Sequence, residues 1–125
     1  MKIRIFSGIM LTLLLIGILP LVFYIQQVRA GGTVFIRADG SVDPPTANIT
    51  SVDNVTYTFT DNIYDSIVVE RDNIVVDGAG YTAQGTGGGT GIDLSGRSNI
   101  TIKNLKIEVF DYGIWLDYSS DACML

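Results

Sequence analysis

Asp93, Trp115 and Asp117 are the side chains of this chain whose types and spacing suit chemistry on a sugar. Two carboxylates several ångströms apart can activate a water and protonate a departing glycosidic oxygen, and an indole between them can stack on the apolar face of a sugar ring. Tyr112 and Tyr118 flank the indole, three residues away on either side. The grouping depends on a repeat. Gly91-Ile92-Asp93-Leu94 returns as Gly113-Ile114-Trp115-Leu116, an offset that sets position 93 against 115 and 95 against 117. With the two stretches stacked as strands, all three side chains leave one face and the acids stand about 8 Å apart, close to the separation used for inverting hydrolysis. An outward aspartate on an acidic protein is also ordinary solvation, and no arginine or lysine is visibly aimed at this face, so solvation is the simpler account of both acids. Binding without catalysis asks less, because one aromatic face and a few acids suffice for weak saccharide recognition. For Tyr118 a packed corner aromatic is an equal alternative.

The elements that must hold these residues are short strands separated by turn residues. Ile67-Val68-Val69, Ile74-Val75-Val76, Ile92-Asp93-Leu94, Ile100-Thr101-Ile102 and Leu105-Lys106-Ile107-Glu108-Val109 alternate apolar with outward residues, and corners rich in Gly, Asn, Asp and Ser divide them. A period of about 22 residues built from such pieces is the signature of a parallel β-helix, in which each coil stacks on the one before. Ile67, Ile92 and Ile114 are expected in one inward column, about 4.8 Å apart per coil. Asn73 and Asn99 fall at equivalent corners, where asparagine tolerates the left-handed backbone conformation that a sharp bend demands.

Gln84 to Gly91 carries five glycines in eight residues. No Lys-Ser/Thr follows and strands flank it, so it reads as a flexible loop leaving the stack, with no phosphate cradle. Its length is expected to explain why the coil from Ile67 to Ile92 is longer than the one from Ile92 to Ile114. Thr33 to Arg37 is β-rich, Asp39-Gly40 and Asp43-Pro44-Pro45 are turn-dense, and Val55 to Thr60 alternates for a strand with one wet face. The organisation expected is residues 1–30 as a leader or anchor, 31–62 as an N-terminal cap, and 63–125 as coils. Sustained 3.6-residue periodicity is absent after residue 30, so no helix is expected there beyond a capping turn.

Lys2 and Arg4 precede an uncharged run from Phe6 to Ile25, and Val28-Arg29-Ala30 follows it. The pattern fits a signal peptide cleaved after Ala30, and the run is equally long enough to remain as one membrane-anchoring helix. In both cases the remainder lies outside the cytoplasm, secreted or held at the cell surface, and residues 6–25 are its contact with membrane. After residue 30 thirteen acids face five bases, a net charge of −8 against −5 for the whole chain. Such a surface repels nucleic acid and anionic lipid.

Asn48-Ile49-Thr50, Asn54-Val55-Thr56 and Asn99-Ile100-Thr101 have the spacing of N-glycosylation acceptors. Turn chemistry favours a corner role over a glycan for Asn99. One cysteine, Cys123, permits no internal disulfide, so burial and stacked hydrogen bonds must carry stability.

Ile63 to Tyr81, Gly91 to Leu94, Ser98 to Asn104 and Tyr112 to Leu116, together with Ala38-Asp39-Gly40-Ser41, resemble right-handed β-helix repeat proteins of the NosD-like and pectate-lyase-like type. The likeness covers most of residues 33 to 120 and is similar to the N-terminal cap and first coils of such proteins. It implies an all-β, right-handed solenoid. It also implies one of three roles: a carbohydrate-binding or structural surface module, a polysaccharide lyase or glycoside hydrolase, or a copper-handling periplasmic protein. Binding or structure is the expectation, with catalysis second. Copper fits least, since histidine is absent and Met124 beside Cys123 is the one pair of soft ligands after the leader. No cofactor is expected; calcium, which an aspartate cluster of the lyase kind would hold, is the alternative, though no motif for it is present. Aligning Asp121 with Asn99 ends the chain inside a strand, so a fragment of a longer protein, continued by further coils, is expected.

Overall fold

The structure is a computed structural model describing residues 32–125, which form one compact unit. The leader or anchor expected at 1–30, with its hydrophobic helix at 6–25 and the Ala30 cleavage point, lies outside these residues. Among the described residues every regular element is a strand, and no helix is long and apolar enough to cross a membrane.

Twelve strands follow one another: β1 (Thr33–Ile36), β2 (Val42–Asp43), β3 (Ile49–Thr50), β4 (Thr56–Phe59), β5 (Ser66–Val69), β6 (Ile74–Asp77), β7 (Thr82–Gln84), β8 (Thr90–Asp93), β9 (Ser98–Lys103), β10 (Lys106–Glu108), β11 (Tyr112–Trp115) and β12 (Ser120–Met124). They build three sheets. Sheet A has the order β11-β8-β5-β1-β2, sheet B has β12-β9-β6-β4-β3, and sheet C pairs β10 with β7. From β5 onward the chain visits A, B and C in turn, and each visit pairs in parallel with the previous one. The arrangement is compatible with a β-helix or solenoid. Inside the stretch expected as a cap, β1 and β4 already run parallel to β5 and β6, while the short β2 and β3 pair antiparallel at the outer edge of the ladder.

Burial alternates along the strands because successive side chains leave opposite faces. In β1, β4 and β5 the second and fourth residues are buried, and in β6 the first and third. The register turns this alternation into columns. Val34, Ile67, Ile92 and Ile114 form one, with Ile92 wholly buried. Tyr57, Val76, Ile102 and Met124 form a second, and Ile63, Ala83 and Ile107 a third. The core holds no buried charged or polar residue among those described, and each fully buried aliphatic contributes about 1.5–3 kcal/mol. The Tyr57 hydroxyl, carried into this core, donates to the Gly40 carbonyl at 2.7 Å.

The corners are stacked too. Asn54, Asn73, Asn99 and Asp121 occupy one corner on successive rungs with φ of 56°, 59°, 55° and 52°. All four are left-handed, as the sharp bend requires, and the Asn99 amide donates to the Asn73 side-chain oxygen at 3.0 Å.

The glycine-rich segment differs from its expectation. It stays in the stack: the Gly85 amide donates to the Glu108 carbonyl and the Gly87 amide to that of Val109. A Cβ on Gly85 would stand 2.4 Å from the Val109 carbonyl oxygen and 2.5 Å from the Phe110 ring. Gly85 and Gly91 are therefore a floor for Phe110, which packs against the core, while Gly87 and Gly89 face open space. The segment also explains only part of the longer coil. Between Ala83 and Ile92 it adds two residues relative to Ile107–Ile114, the corner between Val76 and Ala83 adds two more, and the Val69–Ile74 corner has one fewer.

Candidate functional site

Outward residues of sheet A carry the candidate site. Phe35, Val68, Asp93 and Trp115 stand in register on successive rungs. Trp115 therefore lies directly over Asp93, as the repeat offset requires. Trp115 is 41 % and Tyr112 55 % exposed, and their rings meet edge to face with centroids 4.9 Å apart. Such a pair holds the indole in one orientation while leaving it open to solvent.

Asp117 comes one rung above Ser95, tied there by the Gly96 amide, which donates to the Asp117 carbonyl at 2.7 Å. It is exposed. Tyr118 sits at the next corner with φ 54°, above Gly96 with φ 70°, and is 94 % exposed. It is a corner residue without the packing that the alternative reading supposed, and it joins neither ring of the aromatic pair.

Two shallow depressions flank the lower rungs. One of about 490 Å³ is lined by Ala38, Val68, Val69, Glu70, Asp93, Ser95 and Arg97. A second of about 720 Å³ includes Arg37, Asp39, Asp43 and Pro45 and shares Ala38 and Glu70 with the first. Arg97 thus lines the same depression as Asp93, a cation that the sequence did not reveal because a corner, not a strand alternation, aims it. Its guanidinium lies 3.5 Å from Asp72. Arg37 bonds Asp43 at 2.7 Å and Glu70 at 2.9 Å and lies 4.0 Å over the Phe35 ring. Hydrogen bonds to the Asp43 and Glu70 carboxylates raise its pKa further, so it is fixed as a cation.

Asp93 and Asp39 at this face, like Asp53 and Asp77 at the strands of sheet B, are occupied by turns. Asp93 accepts from the Ser95 amide at 2.9 Å and from the Ser95 hydroxyl. Asp39 does the same with Ser41, and those two hydrogen bonds hold its carboxyl below the usual range. Asp53 takes the amides of Thr56 and Val55, and Asp77 that of Ala79 with a side-chain bond from Asn104; both carboxyls are likewise lowered. Both Ser95 bonds fall on Asp93 Oδ1, so the bend holds this carboxylate in place while its second oxygen is left to accept from a ligand's hydroxyl.

Of the acceptor asparagines, Asn48 donates to the Asn62 carbonyl at 3.1 Å, Asn99 is committed to the corner ladder, and Asn54 is exposed. Cys123 is exposed on β12, opposite Thr101. Among the described residues no group of three His, Cys, Asp or Glu side chains is placed to hold a metal ion. The chain matches no protein-family model, no curated protein and no solved structure.

Proposed function

We propose that this chain is an exported or surface-attached right-handed β-helix module that holds carbohydrate on the outer face of sheet A. Handedness follows from the general rule that a parallel strand reached through a crossover winds to the right in nearly all cases. Export rests on the pattern of residues 1–30, and the resemblance to NosD-like and pectate-lyase-like repeat proteins supports the same assignment. The observation that carries the binding reading is the open Trp115 ring, braced by Tyr112 and seated in register over Asp93. A pyranose laid on the indole would place its hydroxyls toward Asp93 below and Asp117 beside it. Ser95 and Arg97 continue the polar surface one rung below Trp115 and Glu70 two rungs below. Binding is favoured over catalysis because the Asp93 carboxylate already accepts two bonds from Ser95.

Retention on immobilised polysaccharides tests the reading. The protein is expected to be retained on at least one polymer, and Trp115→Ala to abolish that retention while leaving the circular dichroism spectrum unchanged. Release of reducing or unsaturated ends, lost on Asp93→Asn or Asp117→Asn, would replace binding with catalysis. Retention on no polymer would leave a structural role.

A further inference from the structure

Asn54 is an acceptor asparagine whose side-chain nitrogen the fold leaves uncommitted, and we infer that it is the glycan acceptor of the folded chain. The inference rests on the export reading for its setting. N-glycan transfer forms a bond between the asparagine Nδ2 and the anomeric carbon of a polyprenyl-diphosphate-linked oligosaccharide. The lipid diphosphate leaves with the bonding electrons and the amide proton passes to a base of the transferring enzyme. The reaction therefore needs an Nδ2 free of partners, a hydroxyl two residues on, and a segment that another protein can reach.

All three sequons carry the threonine hydroxyl, with Thr56 opening β4 and paired on one side with Val75; they differ in the freedom of Nδ2 and in access. Asn99 and Thr101 both lie inside β9, and the Asn99 Nδ2 donates to Asn73; loading it would break a rung of the corner ladder. Thr101 is paired on both sides, with Val75 and Cys123. The Asn48 Nδ2 donates to the Asn62 carbonyl, and the adjoining Ile49 is buried and paired with Phe59. Asn54 stands in the same corner column as Asn73 and Asn99, but on the first rung. Its Nδ2 meets no hydrogen-bond partner among the described residues. The side chain folds over the bare backbone of Gly40, where a Cβ would stand 2.8 Å from its Cγ.

The backbone of Asn54 is nevertheless fixed. Its amide donates to the Ser51 hydroxyl at 3.0 Å and its carbonyl accepts from Arg71 Nε at 3.1 Å. A glycan on Nδ2 would thus displace no bond that shapes the turn. Val52, two residues before it, is fully exposed, and Val55 is 45 % exposed, so the segment is open to solvent although the Val55 carbonyl is held by the Val75 amide.

The test is transfer in vitro onto the purified, folded full chain, using membranes that contain an N-glycan transferase and a polyprenyl-diphosphate oligosaccharide, with site mapping by mass spectrometry. Occupancy at Asn54 is expected to exceed that at Asn99 or Asn48 by at least about fivefold, the population factor of one net hydrogen bond. Thr56→Val, which keeps Asn54 and its turn, is expected to abolish the modification. An unmodified Asn54, or equal occupancy at Asn48 or Asn99, overturns the inference. This assay does not require export. Transfer in vitro with no glycan on chain recovered from a glycosylating host therefore counts against the export reading and upholds the acceptor assignment.

Discussion

Replacing Ile92 with alanine tests the stacked-rung account at its centre. Ile92 is 0 % exposed, with Ile67 in register on one rung and Ile114 on the next. Truncation removes three carbons, about 2.4 kcal/mol of transfer free energy at ~0.8 kcal/mol per methylene. Rungs wall the site on both sides and cannot close on it, because the backbone ladders fix their spacing. A residual void then adds about 1–2 kcal/mol, for a total of about 3.5–4.5 kcal/mol. A unit of this size has about 5–14 kcal/mol to lose, so the midpoint of thermal unfolding falls by roughly 15–25 °C. Ile114→Ala is the internal comparison: Ile114 is only half-buried, with one rung beneath it, and is expected to cost about 1–2 kcal/mol. Urea unfolding followed by circular dichroism measures both. A loss below ~1 kcal/mol for Ile92→Ala, or an equal loss at the two positions, would refute the idea that position in the stack sets the cost.

Gly85→Ala is expected to destabilise by about 1–3 kcal/mol in thermal unfolding, since the new methyl meets a backbone carbonyl and the Phe110 ring. Tyr57→Phe keeps the ring but leaves the Gly40 carbonyl without its donor, a loss of about 1–3 kcal/mol in urea unfolding. Asp39, Asp53 and Asp77 have carboxyls lowered in the folded state by their turn hydrogen bonds. Their contribution is therefore fully present above the unfolded value of about 4 and lost as pH falls through the lower folded values. Unfolding free energy is expected to be level from neutrality to about pH 5, to fall below about pH 4, and to fall less steeply in Asp77→Asn.

The part of the fold that was legible in the sequence is the part that repeats. The offset between the two Gly-Ile-x-Leu stretches placed Trp115 over Asp93 and Ile114 over Ile92, and alternation within each run assigned the inward residues. Asn73 and Asn99 were legible as corners because few other residues accept a left-handed backbone. What escaped was carried by side chains reaching between rungs of unequal length. Arg37 meets Glu70 and Tyr57 meets Gly40 across separations that match no period. Arg97 escaped because its aim is set by a bend, where alternation gives no direction. The glycine run departs from its expectation for a similar reason: its two ends, Gly85 and Gly91, lie under the Phe110 ring of the next rung, and a string of small residues looks the same whether it is free or covered.

Ile67 meets Ile92, and Ile92 meets Ile114, across coils of unequal length, yet both contacts are in register. Bends absorb differences in contour length that strands cannot. Tolerance to inserted or deleted codons should therefore be partitioned along the gene. Small length changes between Val76 and Ala83, or near Gly87, would alter only the outline of a bend. A single added residue within β8 or β9 would turn a lipophilic stripe toward water.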